Sequence, residues 1–133
     1  MGTFRAGKGG VFMIKFISGH LDITPKEFEK HYVGKIFSSV VNGDHFVIGD
    51  APGTDRMAID YLWSLRSASG LKVTIFHMFD SPRYNPGFPT KGGYESDTDR
   101  DEAMTLASDE DIAWVRPGKE NSGTAKNLLR RKS

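Results

Sequence analysis

"FVIGDAPGTDRMAIDYL", residues 46–62, decides the reading of the fold. An apolar run stops at Gly49, and an amphipathic run starts at Thr54. Pro52 and Gly53 supply a turn between them. A strand that hands over to a helix through such a turn is one βα unit of a parallel sheet. The turn also presents backbone N–H groups at a helix start, where a phosphate can be held. Gly49 ends the strand, Gly53 permits close approach of a ligand, and Thr54 can cap the helix or donate its hydroxyl. Asp50 and Asp55 would repel a bare phosphate and suit ribose hydroxyls, a base or a metal. A Pro-Gly turn before a capped helix explains the same residues, so this motif alone does not separate the two readings.

The rest of the chain repeats the unit. "VFMIKFI" (11–17) is a buried strand ended by "SGH" (18–20). "TPKE" (24–27) starts a helix, with Thr24 as N-cap, Pro25 at the first helical position and Glu27 closing a capping box. Phe28, Tyr32, Ile36 and Val40, with Phe37 and Val41, give that helix its apolar spacing, and Asn42-Gly43 stops it. "HFVIG" (45–49) is the second strand, followed by a helix over about 54–66. "LKVTIFHM" (71–78) is the third strand, and residues 79–96 form a long Pro/Gly-rich loop. A helix over 97–108, a strand "DIAWV" (111–115), a turn and a short helix over 124–132 complete the pattern. The alternation predicts an α/β, Rossmann-like three-layer sandwich with a mainly parallel sheet of four to five strands. Residues 1–10 read as a flexible leader and 11–133 as a single domain.

In such a fold ligands bind at the carboxyl ends of the strands, and every unusual turn here lies at such an end. "PGKENSGT" (117–124) is the second candidate phosphate loop, with Gly118, Lys119, Ser122, Gly123 and Thr124 as its ligand-binding residues. Its Lys is not placed as in a Walker A loop, and a solvated loop with Ser122 as helix cap is the plain alternative. Ser18, Gly19 and His20 form the first βα turn, where His20 can contact a ligand or move a proton. Arg100 lies near the start of the third helix among Asp97, Asp99, Asp101 and Glu102. It is either a surface ion pair or a cation aimed over the sheet edge at a phosphate or carboxylate. Tyr84, Phe88 and Tyr94 can stack on a base if the long loop is a lid, or pin that loop to its own domain. Trp63 and Trp114 read as packing residues, Trp114 being placed to border the site.

Composition narrows the classes. The 133 residues are 38% hydrophobic and 26% charged, with no cysteine, so disulfides and thiolate chemistry are excluded. A net charge of +1 gives no ground for a nucleic-acid partner. No apolar run approaches a membrane span, and a cytoplasmic location is expected. His45, His77 and Asp80 lack compact ligand spacing, so no metal is expected, nor any cofactor.

Three segments together resemble the SLOG superfamily, the Rossmann-like group that includes the LOG phosphoribohydrolases and the SMF DNA-processing proteins. They are "FISGHLDIT" (16–24), "FVIGDAPGTDRMAIDYL" (46–62) and "DRDEAMTLASDEDIAWVRPGKENSGTAKNLL" (99–129). The closer likeness is to the small single-domain SLOG proteins of bacteria and phages. The resemblance implies a nucleotide-derived small-molecule ligand, and it leaves room for a homo-oligomer. In LOG enzymes the turn reads Pro-Gly-Gly-x-Gly-Thr-x-x-Glu, and that Glu acts with a helix Arg in N-glycosidic cleavage of nucleoside monophosphates. Pro117, Gly118, Gly123 and Thr124 match the turn in kind, and Arg100 stands where the Arg would. The Glu position is Asn127, and an amide cannot serve as a general base. The resemblance therefore implies nucleotide or nucleotide-sugar binding first. The alternative is a nucleoside 5′-monophosphate N-glycosidase in which Arg100 and a relocated carboxylate, Asp55 or Asp50, are catalytic. A non-catalytic interaction protein keeping only the fold is the third reading.

Overall fold

The computed structural model describes residues 5–7 and 10–132. Two short strands, β1 (Arg5–Gly7) and β2 (Gly10–Phe12), pair antiparallel. The expected flexible leader lies in large part outside the described residues. The expected strand 11–17 is divided at Met13, whose N–H leaves the ladder and donates to Asp44 Oδ1 at 2.9 Å. Strand β3 (Ile14–Ile17) then enters the main sheet.

That sheet has five strands, all parallel, in the order β6-β5-β4-β3-β7. Its other members are β4 (His45–Ile48), β5 (Lys72–Met78), β6 (Thr90–Tyr94) and β7 (Glu110–Ile112). Side chains alternate across it, as the pleat requires. Ile17, Phe46, Ile48, Val73, Ile75 and Ile112 face one helical layer, while Phe16, Val47 and Phe76 face the other. The first layer holds α1 (Pro25–Phe28), a wide π turn (Glu29–Val33), α2 (Gly34–Val41) and α3 (Thr54–Ser64). The second holds α4 (Asp97–Ala107) through Met104, with α5 (Gly123–Lys132) packed on α4 and β7. The chain is thus a three-layer α/β Rossmann-like fold.

Local chemistry explains most boundaries. Thr24 Oγ1 accepts from Glu27 N–H at 3.1 Å and Glu27 Oε1 accepts from Thr24 N–H at 2.9 Å, closing the capping box. Ser96 caps α4 by accepting from Asp99 N–H. Phe28, Tyr32, Ile36 and Val40 form one buried stripe. Phe37 and Val41, one position further on and so about 100° around the helix, stay exposed. The long loop contains β6, which carries no apolar alternation ("TKGGY") and pairs only on its β5 side. The last strand is shorter than expected. Beyond Ile112, Trp114 N–H donates to Tyr32 OH at 2.9 Å, and the Trp114 ring stacks on His31.

From β3 to β6 each step moves in one direction along the sheet, and α4 then carries the chain back to β7, beside β3. The helices that follow β3 and β7 therefore leave for opposite faces. This is a topological switch point, where the carboxyl ends of two adjacent strands open a crevice. No helix among the described residues is long and apolar enough to cross a membrane.

Candidate functional site

A cleft of about 360 Å³ occupies the switch point. Three loops and one helix build it: Ser18–Asp22 after β3, Ala51 and Asp55 after β4, Lys119–Asn127 around the start of α5, and Asp97–Met104 of α4. Phe16 and Met104 give it an apolar floor. Of the expected ligand-binding residues, Ser18, Gly19, His20, Lys119, Ser122, Gly123 and Thr124 line it, as do Arg100 and Asp55. Gly49, Asp50, Gly53, Thr54 and Gly118 lie outside that lining.

The Gly53–Thr54 turn is spent on the fold. Thr54 N–H and Thr54 Oγ1 both donate to His20 O, at 3.1 and 2.9 Å. Gly53, not Thr54, occupies the cap position of α3, with φ +79°. A Cβ on Gly53 would stand 2.3 Å from Leu21 O, so the β3 loop can lie against this turn only if residue 53 is glycine. Gly19 is the reciprocal contact, since its Cβ would meet Thr54 Oγ1 at 2.3 Å and Tyr32 OH at 2.5 Å. Gly53→Ala should therefore cost about 3 kcal/mol or more, from backbone strain and the forced shift together. Gly123→Ala serves as the control, because a Cβ there meets nothing within 4 Å. Urea unfolding of both variants checks this, and a Gly53→Ala cost below about 1 kcal/mol would contradict it.

Behind the cleft lies a buried charge network. Arg100 is 4% exposed and Asp50 1%. Arg100 Nη1 donates to Asp50 Oδ1 at 2.9 Å and sits 2.9 Å from Asp97 Oδ1, while its Nε and Nη2 face Asp101 Oδ1 at 3.3 and 3.0 Å. Arg83, from the long loop, closes on Asp50 through its backbone N–H, Nε and Nη2. Burial opposes the Asp50 charge, yet these donors and the two guanidinium charges hold its carboxyl below the usual range. Gly49 is needed beside them, since a Cβ would stand 2.7 Å from Arg100 Cζ. Asn127, at the position of the missing Glu, donates to Asp101 Oδ2 at 3.3 Å and accepts from Arg130.

Asp55 differs from these acids. It is 7% exposed, and Ala51 N–H donates to its Oδ2 at 3.1 Å. Burial pushes its carboxyl up to about 7, only partly offset by the Arg100 charge. A lining carboxyl near neutrality can give or take a proton. His20 has the opposite fate. Its Nε2 accepts from Arg116 N–H at 2.8 Å, which assigns the ring proton to Nδ1. Burial, then the Arg116 charge, lower its pKa, so the ring is neutral at pH 7. Arg116 itself is held by Glu27 and Asp22.

The cleft lining also contains donors. Ser122 Oγ and Ser122 O take the amides of Ala125 and Lys126, leaving the Gly123 and Thr124 amides of α5 without acceptors among the described residues. Lys119 has no ion pair there, and Ser18 Oγ, in a residue 7% exposed, has no hydrogen-bond partner. The aromatic loop residues hold their own domain together. Phe88 meets Trp63 edge-on at 5.1 Å, Tyr84 OH donates to Asp60, and Tyr94 stacks on Phe76. Arg83 escaped the sequence reading, and Tyr32 enters it as an apolar helix position without its hydroxyl's partners. Their partners lie 33 positions away (Asp50) and 14 and 82 positions away (Ser18 and Trp114), and no local pattern signals them. Among the described residues no group of three or more His, Asp or Glu could hold a metal. Compared with known proteins, the chain matches no family model, no curated protein and no solved structure.

Proposed function

We propose that this cleft binds a nucleotide or nucleotide-sugar through its phosphate, in the manner of a SLOG-like domain. One observation carries the reading: Ser18 Oγ, two helix amides and Lys119, each without a partner among the described residues, belong to the same cleft. Buried hydroxyls rarely lack partners, and a helix N-terminus with free amides favours an anion. Gly123→Asp tests it. The new side chain has room, and an acid at a helix start favours the helix, so the fold should survive. Its carboxylate then competes for the phosphate position. Each charge-assisted bond lost is worth roughly 1.5–3 kcal/mol, so AMP affinity should fall about 10- to 100-fold by calorimetric titration. Unchanged AMP affinity in a folded variant would refute the site, and the third reading, a fold kept only for interaction, would then be favoured.

Asp55 supports a second reading, N-glycosidic hydrolysis. Asn127 is engaged with Asp101 and Arg130, and Asp50 with two arginines, so Asp55 is the carboxyl left to take a proton from water. Release of free base from AMP, abolished by Asp55→Asn and kept by Asn127→Ala, is the result expected of the enzyme. Binding with no base release favours the binding module.

A further inference from the structure

A second groove, of about 680 Å³, shares no lining residue with the cleft. Lys15 and Glu110 line it from β3 and β7, and Lys30, Gly34, Lys35 and Ser38 line it from the π turn and α2. Its acids are already matched, Glu110 by Lys15 Nζ at 2.6 Å and Asp111 by Arg131 Nη2 at 3.2 Å. Lys30 and Lys35 are exposed and have no ion pair among the described residues, which leaves the groove positive. Gly34 has ordinary helical backbone, and a Cβ there would meet nothing within 4 Å. Glycine destabilises a helix relative to alanine, and nothing in this fold requires it at position 34. It lets another backbone approach the helix closely. The π turn before it is a form frequent at functional sites. Strand β7 pairs with β3 alone, so its other edge is open to a further strand. Beyond Ser38 the same helix exposes Phe37 (50%) and Val41 (72%), which offer apolar contact to a polypeptide and none to a nucleic-acid backbone.

We infer that this groove docks an acidic, extended segment of a partner protein, which adds to the open edge of β7 and sets its carboxylates against Lys30 and Lys35. Main-chain pairing supplies the affinity in this mode, and the charges select the sequence. The groove is concave and edged by a strand, a shape that fits a peptide and not a flat bilayer. The inference is independent of what the cleft binds.

A displayed library of random octapeptides, selected on the full chain, tests it. Asp and Glu should be enriched at alternate positions of the binders, the period of a strand. Lys30→Glu combined with Lys35→Glu should weaken the tightest octapeptide at least about tenfold by fluorescence anisotropy, with an unchanged circular dichroism spectrum. Gly34→Gln should raise the melting temperature and still weaken the octapeptide, a pair of effects that damage to the fold cannot produce. Methylating alternate backbone amides of the octapeptide should abolish binding in one phase and spare it in the other. Absence of acidic enrichment, binding that survives the double charge reversal or Gly34→Gln, or tolerance of both methylation phases would overturn the inference. So would binding of phosphatidylserine vesicles or of oligo-dT in preference to the octapeptides, which would make the two lysines part of a membrane or nucleic-acid surface.

Discussion

Asp55→Asn should stabilise the protein at pH 8 by about 4 kcal/mol, and by far less at pH 4. The carboxyl has a reference value of 3.8 when exposed and about 7 in the fold. Between those values the folded chain holds a proton that the unfolded chain has lost, so stability falls as pH rises from about 4 through about 7. Roughly three pKa units at 1.36 kcal/mol each give the figure of about 4 kcal/mol. Above pH 7 no further loss comes from this residue. Asparagine has nearly the same shape, can still accept from Ala51 N–H, and does not titrate. Urea unfolding across pH 4–8 should give two curves that meet at the acid end and diverge towards neutrality. Parallel curves would show that Asp55 is ionised without penalty. A buried acid this costly, lining a cleft, fits a role in ligand chemistry better than a role in packing.

Arg100→Met should cost about 3–5 kcal/mol, because it leaves the buried Asp50 and the part-buried Asp101 without their main counter-charge. Arg83 would remain on Asp50, but its guanidinium is more exposed than that of Arg100 and is shared with Asp97. Adding Asp50→Asn to Arg100→Met should recover about half of the loss, since the uncompensated charge goes with it. A denaturant double-mutant cycle measures the coupling. A single-variant cost below about 1 kcal/mol would mean that Arg100 behaves as a surface ion pair. The donors of Arg100 already face Asp50, Asp97 and Asp101, so it holds these three carboxylates in place.

What the sequence determined by itself was local. The apolar runs of β3, β4 and β5 are nearly continuous because helices cover both faces of the sheet, and Thr24 and Glu27 cap a helix as partners three residues apart. Such signals survive in a linear string because their geometry is set within one turn or one strand. The alternation of these elements was enough for a parallel three-layer fold, and hence for a crevice at the strand ends. What only the tertiary structure decided was the use of each turn. Both glycine turns looked alike as phosphate loops. The Gly53–Thr54 turn spends its amide and hydroxyl on His20 O, 34 positions away, whereas the Gly123 and Thr124 amides have no acceptor among the described residues. His20 looked like a free acid–base group until Arg116 N–H, 96 positions away, was found on its Nε2. Asp50 and Asp55 are five positions apart and were interchangeable as letters. Packing gave one of them two guanidinium partners and the other a single amide with a lining position in the cleft. Ionisation and hydrogen-bond availability depend on burial and on distant partners, and those exist only once the chain has closed on itself.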